Sequence, residues 1–224
     1  MARIGVLALQ GDFEAHARAL RAAGAEAEEV RRCAALRGLD GLVLPGGEST
    51  TLLNLMEDEP WFEELRRFHR DGGAIFGTCA GTILLAREVR NPSQRSLGLL
   101  DAAVERNAFG RQTESFEAAV AVPSLGGSIE GVFIRAPRFR EVGAEVEVLG
   151  RLEGEPVLVR QGRILAATFH PELTAGGGVH GMFVGMAHER RRAGEKARRS
   201  TRAGGSAELR RRAGRAAAPA RTGG

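Results

Sequence analysis

Short apolar runs alternate with amphipathic segments through the first 90 residues of the chain. Four of the runs have the length and composition of buried strands, at residues 4–9, 27–30, 42–44 and 74–76. Four other segments repeat apolar side chains at helical spacing, at residues 13–22, 49–56, 61–70 and 80–86. We expect Ser49 or Thr50 to cap the second of these helices. The alternation predicts an α/β fold whose mostly parallel sheet has helices on both faces.

The second half of the chain has a different pattern, with little helix between its strands. Six strand-like segments follow one another, at residues 102–106, 116–122, 132–134, 146–149, 157–160 and 164–168. A last helical pattern covers residues 179–189. These strands make the predicted sheet a mixed one, within a single domain that we place at residues 1–190.

The net charge of +4 averages two unlike parts of the chain. Residues 190–224 carry 12 of the 32 basic side chains and two of the 28 acidic ones, which leaves the first 189 residues with a net charge of −6. This acidic body gives no compositional case for nucleic-acid binding. Residues 191–224 are rich in Arg, Ala and Gly and bury too little apolar surface to offset their ordering entropy. We therefore expect a disordered basic tail.

The cysteine count and the apolar runs indicate where the protein works. Two cysteines in 224 residues do not form a disulfide framework and are typical of a reducing compartment. No apolar run approaches the ~20 residues that span a bilayer, and the run at residues 4–9 is too short for a secretory core. We expect a cytoplasmic protein without a membrane segment.

The most informative stretch is a Gly-x-Cys-x-Gly motif formed by Gly77, Cys79 and Gly81. It follows an apolar strand and precedes a helical pattern, which is the arrangement of a nucleophile elbow with cysteine in place of serine. Small residues on either side let the strand and the helix approach each other. The N–H of Ala80 can then donate to an oxyanion that develops during attack by the Cys79 thiol. The motif therefore predicts that Cys79 is a nucleophile.

A second candidate group follows about 90 residues later, at His170, Pro171 and Glu172. A residue before proline is pushed toward extended geometry, and residues two apart in an extended segment share a face. His170 and Glu172 are therefore expected side by side, where the carboxylate can fix the imidazole tautomer. Together with the elbow, the pair predicts a triad of Cys79, His170 and Glu172.

A third candidate is the loop after the strand at residues 42–44, with the sequence Pro45-Gly46-Gly47-Glu48-Ser49. Its glycines allow the backbone to approach a ligand closely. No Gly-Lys-Ser/Thr follows, which excludes a phosphate-binding loop. An N–H of this loop is a candidate for the second oxyanion donor, as in hydrolases with a nucleophile elbow.

Six blocks of sequence together resemble class I glutamine amidotransferases, and in particular the glutaminase subunits of pyridoxal 5′-phosphate synthase. The blocks are Gly5–Gly11, Leu44–Thr51, Phe76–Gly81, Val104–Gln112, Gly131–Pro137 and Phe169–Thr174. The sequence Gly-Thr-Cys-Ala-Gly separates this family from amidotransferases that carry leucine after the cysteine. The resemblance implies a three-layer class I glutamine amidotransferase-like (flavodoxin-like) domain.

The resemblance also implies a reaction, in which L-glutamine and water give L-glutamate and ammonia through a thioester on Cys79. His170 would be the base that Glu172 orients, and the N–H groups of Gly47 and Ala80 would form the oxyanion hole. The residues implied for glutamine binding are Gly47, Glu48, Ser49, Arg106, Ile134 and Arg135. No cofactor and no metal are implied, and Gln10-Gly11 resembles a peptide whose rearrangement completes the oxyanion hole.

A protein partner follows from the same resemblance. In the family, ammonia passes to a separate synthase subunit, a (β/α)₈ barrel, within an assembly of up to twelve subunits of each kind. The free glutaminase is poorly active until it docks. This chain departs from the family at Ala175-Gly176-Gly177-Gly178, where an acidic residue and an arginine usually stand. We expect a flexible turn there, with consequences for activity or docking.

Three other functions remain open on the sequence. The first is a glutaminase that serves a different acceptor, such as a histidine-pathway cyclase, which Thr78-Cys79-Ala80 and Ile134–Pro137 disfavour. The second is a cysteine peptidase or chaperone on a related fold, which the lack of a histidine directly after Cys79 disfavours. The third is a non-catalytic interaction protein, which the complete triad disfavours.

The remaining cysteine, histidines and large aromatics carry no predicted chemistry. Cys33 is expected to be a structural or incidental thiol. The other histidines show no ligand spacing, so no metal site is predicted at His16, His69, His180 or His188. The aromatic side chains of the third helix are expected in the core, at Trp61, Phe62 and Phe68.

Overall fold

A computed structural model describes residues 1–106 and 115–189 of the chain. The predicted tail at residues 191–224 and the end of the Val104–Gln112 block lie outside the described residues. Within them the two cysteines are free thiols, and no helix is long and apolar enough to cross a membrane.

The described residues form a chain of strands and helices that we number in sequence order. Strands β1–β12 are Arg3–Leu7, Glu26–Val30, Gly41–Leu44, Ala74–Thr78, Ala86–Arg90, Leu100–Glu105, Phe116–Val122, Gly127–Phe133, Arg138–Val142, Glu147–Leu152, Glu155–Gln161 and Ile164–Ala167. Helices α1–α4 are Phe13–Ala22, Ser49–Leu55, Trp61–Arg70 and Ala80–Leu85. Residues 178–189 form α5. Short 3-10 turns lie at Cys33–Leu36, Pro123–Leu125 and Pro171–Leu173.

Nine of the strands form one mixed sheet in the order β2-β1-β3-β4-β12-β11-β10-β7-β8. The five strands from β2 to β12 run parallel to one another, and the remaining neighbours pair antiparallel. A smaller sheet of β5, β6 and β9 lies beside it. The last of the described strands, β12, therefore lies at the centre of the large sheet, next to β4.

Side chains of the central strands alternate between two cores, one on each face of the sheet. Ile75 of β4 belongs to the core that contains Trp61 and other residues of α3. The next residue, Phe76, belongs to the opposite core and packs against Phe183 of α5, with ring centroids 5.5 Å apart. Leu20 of α1 lies in that second core. Helices thus cover both faces, which confirms the predicted three-layer α/β fold.

Some local predictions are wrong for identifiable reasons. The N-cap of α2 is Glu48, not Ser49 or Thr50, because the Glu48 carboxylate accepts the N–H groups of Thr50 and Thr51 at 3.1 and 2.6 Å. The Ser49 hydroxyl instead donates to the Gln94 side chain at 2.9 Å. The apolar pattern does not predict strands β5 and β9, because charged side chains along them obscure the alternation that marks a half-buried strand.

Helix α4 lies so close to β3 and β4 that glycine is required at two positions. A Cβ atom at Gly77 would lie 2.7 Å from the backbone of Gly81, and one at Gly81 would lie 2.0 Å from the Leu44 carbonyl oxygen. Both distances are shorter than any tolerable van der Waals contact. The small residues that flank Cys79 therefore do let strand and helix approach, as the motif predicts.

Replacing Gly81 with alanine should lower the free energy of unfolding by about 1–3 kcal/mol or more, because the new methyl group must displace β3. The matched control is Gly185→Ala in α5, where a Cβ atom meets nothing within 4 Å. That change should raise the free energy of unfolding by about 0.5–1 kcal/mol, since alanine favours the helix. Urea denaturation measures both, and equal stability of the two variants would contradict the packing argument.

Candidate active site

Cys79 lies on the tight turn between β4 and α4. Its backbone has φ 46° and ψ −102°, a combination that non-glycine residues rarely adopt and that costs conformational energy. The turn is held by the Cys79 N–H, which donates to the Ala167 carbonyl oxygen at 2.9 Å. The thiol sulfur lies 3.9 Å from the carbonyl oxygen of Ile134. The elbow therefore presents a largely buried thiol where the loop after β8 passes close to it.

His170 reaches the same place because β12 pairs in parallel with β4, so that the two strands end at one edge of the sheet. The His170 N–H donates to the Val132 carbonyl oxygen of β8 at 2.8 Å. Its Nδ1 lies 2.7 Å from Glu172 Oε1. The link between the two side chains is the 3-10 turn Pro171–Leu173, not the extended segment that we expected, because Pro171 occupies the first position of that turn.

Burial and hydrogen bonding oppose each other in setting the charges of this pair. Burial acts to raise the pKa of Glu172, but the imidazoles of His16 and His170 outweigh it and hold the pKa well below its usual range. Burial acts to lower the pKa of His170, but its hydrogen bonds with Cys79 and Glu172 raise it to about 10. Near neutral pH the arrangement is a carboxylate beside an imidazolium that also contacts the Cys79 sulfur.

A cleft of about 320 Å³ opens beside the thiol and has the size of a small-molecule site. Eight of the ten sequence-predicted site residues line it: Gly47, Glu48, Ser49, Cys79, Arg106, Ile134, Arg135 and His170. The other two, Ala80 and Glu172, are buried behind its wall. The cleft is also lined by Gly11 and Gly46, which belong to segments singled out from the sequence, and by Asp12, Ile83 and Leu173, which were not predicted.

The loop at Gly46 and Gly47 forms one wall of the cleft and packs directly on the histidine. A Cβ atom at Gly46 would lie 2.3 Å from His170 Cε1, so the ring fits only against a glycine. The Gln10 amide holds this loop through the backbone of Glu48, whose carbonyl oxygen accepts from Nε2 at 3.1 Å and whose N–H donates to Oε1 at 3.3 Å. The position of the Gly47 N–H therefore depends on the Gln10 side chain.

Charged side chains of both signs line the cleft. Burial acts to raise the pKa of Glu48, but the N–H groups of Thr51 and Thr50 lower it to about 2, so the carboxylate stays ionised. Arg106 Nη2 lies 3.5 Å from Glu48 Oε1. Arg135 also lines the cleft, in a left-handed backbone conformation with φ 44°. The cleft thus combines the guanidinium groups of Arg106 and Arg135 with the carboxylates of Glu48 and Asp12, which suits a small zwitterion.

Two functional-site neighbours were missed by the sequence reasoning. His16 and His180 are fully buried and meet behind Glu172, with His16 Nε2 3.3 Å from Glu172 Oε2. A signal was present, because His16 lies between Ala15 and Ala17 on the apolar face of α1, where a polar residue needs a partner. Spacing along the chain alone could not indicate His180 as that partner.

Cys33 takes no part in the site. Burial and the neighbouring Glu59 raise the pKa of its thiol to about 12, which keeps it protonated at neutral pH. This agrees with its interpretation as a structural or incidental thiol.

Comparisons with known proteins show a similarity to glutamine amidotransferases. The pattern of the SNO glutamine amidotransferase family matches residues 6–189. A Koribacter versatilis protein named pyridoxal 5′-phosphate synthase subunit PdxT is 54% identical over 184 residues, covering 82% of this chain and 95% of that protein. A Thermus thermophilus protein of the same name is 56% identical over 186 residues, covering 82% of this chain and 97% of that protein. A crystal structure described as a glutamine amidotransferase has a TM-score of 0.78 and 54% identity, covering 83% of this chain and 98% of that one.

The protonation of His170 should make stability depend on pH. Its folded pKa of about 10 lies above the ordinary 6.5, so the stabilisation is complete below pH 6.5 and is lost as the pH rises toward 10. The unaltered chain should therefore be more stable than His170→Gln at low pH, and the difference in their free energies of unfolding should shrink as the pH rises through this range. Urea denaturation at several pH values measures both. His69→Gln is the control, because burial lowers the pKa of His69 and no such loss is expected. A pH-independent difference for His170→Gln would contradict the assignment.

Proposed function

Because the chain belongs to the SNO glutamine amidotransferase family, we propose that it hydrolyses L-glutamine and passes the ammonia to a pyridoxal 5′-phosphate synthase. The observation that carries the proposal is the convergence of Cys79, His170 and Glu172 at one cleft, with His170 Nδ1 2.7 Å from Glu172 Oε1. A buried carboxylate in this position orients the imidazole and stabilises its protonated form. The other nitrogen of the ring is then available to the thiol.

The first half of the reaction is attack by Cys79 on the side-chain amide of glutamine. The sulfur forms a bond to the amide carbon, and His170 holds the proton that the thiol gives up. His170 then returns that proton to the nitrogen, so that the C–N bond breaks and ammonia departs. The product on the enzyme is a γ-glutamyl thioester of Cys79.

The oxyanion that forms during attack is stabilised by backbone N–H groups. Ala80 opens α4, where the first N–H groups of a helix have no partner within it. The Gly47 N–H is the second proposed donor, on the loop that Gln10 holds. Donors fixed in advance by the fold stabilise the developing charge without reorganising, which is a large part of catalysis in such sites.

The second half of the reaction is hydrolysis of the thioester. His170, now neutral after releasing its proton to ammonia, removes a proton from water. The hydroxide adds to the thioester carbon, the C–S bond breaks, and L-glutamate leaves as the thiol regains its proton. Glutamine and water are consumed, and glutamate and ammonia are formed.

Substrate binding is assigned to the charged side chains that line the cleft. The α-carboxylate of glutamine pairs with the guanidinium groups of Arg106 and Arg135, and the α-ammonium group pairs with Glu48. Ser49 and the backbone of Gly47 and Ile134 complete the proposed contacts. These side chains and Cys79 line the same cleft, so a glutamine bound to them would share that cleft with the thiol.

The proposed partner is a synthase subunit, a (β/α)₈ barrel in an assembly of up to twelve subunits of each kind. The two relatives described above support it, since each is named as a subunit of pyridoxal 5′-phosphate synthase. Ile134 and Leu173 also support it, because both line the cleft and are 38% and 45% exposed. Apolar side chains left in water at the mouth of a site are suited to burial by a partner.

Replacing Cys79 with alanine should lower ammonia release from L-glutamine by at least about a thousandfold, because no other group can form the thioester. The matched control is Cys33→Ala, which removes the only other thiol and should leave the rate unchanged. Coupled glutamate dehydrogenase detection measures the ammonia. Retention of activity in Cys79→Ala would contradict the proposed chemistry and favour a non-catalytic binding protein.

The cognate synthase subunit should strongly stimulate ammonia release by the chain. The physical reason is that docking can complete the oxyanion hole at Gln10 and Gly11, where the Gly11 backbone is already in a left-handed conformation at φ 87°. The assay compares the rate with and without an equimolar amount of the partner. Activity that the partner does not alter would point to a different acceptor enzyme, and inactivity in both cases would indicate a degenerate member of the family.

A further inference from the structure

His16 connects the triad to the interior of the protein. It lies on α1 and is 0% exposed, as are Thr78 and His180, which face it from β4 and α5. Its Nδ1 lies 2.9 Å from His180 Nε2, and its Nε2 lies 3.1 Å from Thr78 Oγ1. The same Nε2 lies 3.3 Å from Glu172 Oε2. One imidazole thus contacts the elbow, the triad carboxylate and a second histidine.

The protons of this cluster can be assigned from the chemistry of the contacts. Glu172 Oε2 is buried and has no aligned hydrogen-bond partner among the described residues, and His16 Nε2 lies 3.3 Å from it. A carboxylate only accepts, so the favourable tautomer of His16 carries its hydrogen on Nε2, where Oε2 and the Thr78 hydroxyl are both within reach. In a neutral ring His16 Nδ1 is then an acceptor, and His180 Nε2 must donate to it. This leaves His180 Nδ1 as a lone pair, and that atom has no hydrogen-bond partner among the described residues. An unpaired lone pair is the less costly alternative to an unpaired buried N–H.

The electrostatics of His180 agree with a neutral ring. Burial and the proximity of His16 lower its pKa to about 3, although Glu172 acts in the opposite direction. A neutral His180 carries a single proton, which the assignment places on Nε2. The remaining face of His16 is apolar, because the edge of Phe76 packs on it with ring centroids 6.2 Å apart.

We propose that His16 is a positioning residue for the triad, which donates from Nε2 to Glu172 Oε2 while His180 fixes its tautomer. The proposal rests on the proposed glutaminase activity for its kinetic readout. With Oε2 held by His16, the carboxylate keeps Oε1 directed at His170 Nδ1. The Glu172 side chain is only 1% exposed, so water cannot readily replace the donor. The contact with Thr78 keeps the carboxylate in register with the residue before the nucleophile.

Two amide variants of His16 separate positioning from packing. In His16→Gln the amide nitrogen can reach the place of the imidazole Nε2 and donate to Glu172. In His16→Asn the shorter side chain reaches only the place of Nδ1, next to His180. Both variants put a neutral amide into the same pocket. His69→Asn controls for the loss of a histidine that is not in the site, since His69 lies on α3 with its Nδ1 3.4 Å from the Gly73 carbonyl oxygen.

His16→Asn should lower kcat about ten- to a hundredfold with little change in KM, and His16→Gln should retain kcat within about threefold. The basic limb of the kcat/KM pH profile should move to lower pH in His16→Asn only. The reason is that a carboxylate free to rotate stabilises the His170 imidazolium less well. His69→Asn should leave kcat and the profile unchanged.

A second readout does not use glutamine. The rate at which iodoacetamide alkylates Cys79 is followed against pH by mass spectrometry of the peptide that contains it. The profile should shift in His16→Asn and coincide with that of the unaltered chain in His16→Gln. If the unaltered chain releases no ammonia either with or without the synthase subunit, the proposed function fails, and the alkylation profiles still decide the role of His16.

Equal behaviour of His16→Asn and His16→Gln in both readouts would overturn the proposal, because a purely structural role does not distinguish where the amide nitrogen lies. Thermal unfolding is measured for every variant. If either His16 variant does not fold, His180→Gln and His180→Asn replace the pair, since only glutamine keeps a donor at the place of His180 Nε2. A shifted profile in His180→Asn alone supports the proposal, and indistinguishable profiles refute it.

Discussion

The constraint on which the rest of the structure depends is the turn that carries Cys79. Its backbone lies outside the regions that side-chain-bearing residues prefer, so the surroundings must hold it there. They do so through the hydrogen bond from its N–H to Ala167 and through the close packing of Gly81 against Gly77 and against Leu44 of β3. Gly46, in the loop after β3, packs in turn directly against the His170 ring. The conformation of Cys79 thus depends on neighbours that must be glycine, because no Cβ atom fits at Gly77, Gly81 or Gly46.

A buried carboxylate is the second costly element, and the fold compensates for it with two imidazoles. Glu172 has His170 on one side and His16 on the other, while its own backbone forms a short turn. Removing such a charge from water is tolerated only where donors surround it. The carboxylate of Glu48 is stabilised differently. It accepts hydrogen bonds from N–H groups of α2 and lines the cleft.

Local patterns were sufficient to predict much of this arrangement. The motif around Cys79 predicted the strand, the turn and the helix, because glycines on either side of the cysteine allow a strand and a helix to pack closely. The bounds of α1 and α3 follow directly from apolar periodicity. The cap at Glu48, the turn at Pro171 and the meeting of His16 with His180 were not predictable, since each depends on which distant group competes for a side chain. The Ser49 hydroxyl, for example, is used by Gln94.

The place of β12 in the sheet determines when the site can exist. This strand is the last one in the part of the chain that the structure describes, yet it pairs with β4 on one side and β11 on the other. While the ribosome is still adding residues before Ile164, β4 has an open edge, and Cys79 lacks both its backbone anchor at Ala167 and its histidine. The nascent polypeptide therefore carries a thiol without a base. The order of synthesis therefore leaves the proposed nucleophile without its proposed base until β12 has been added.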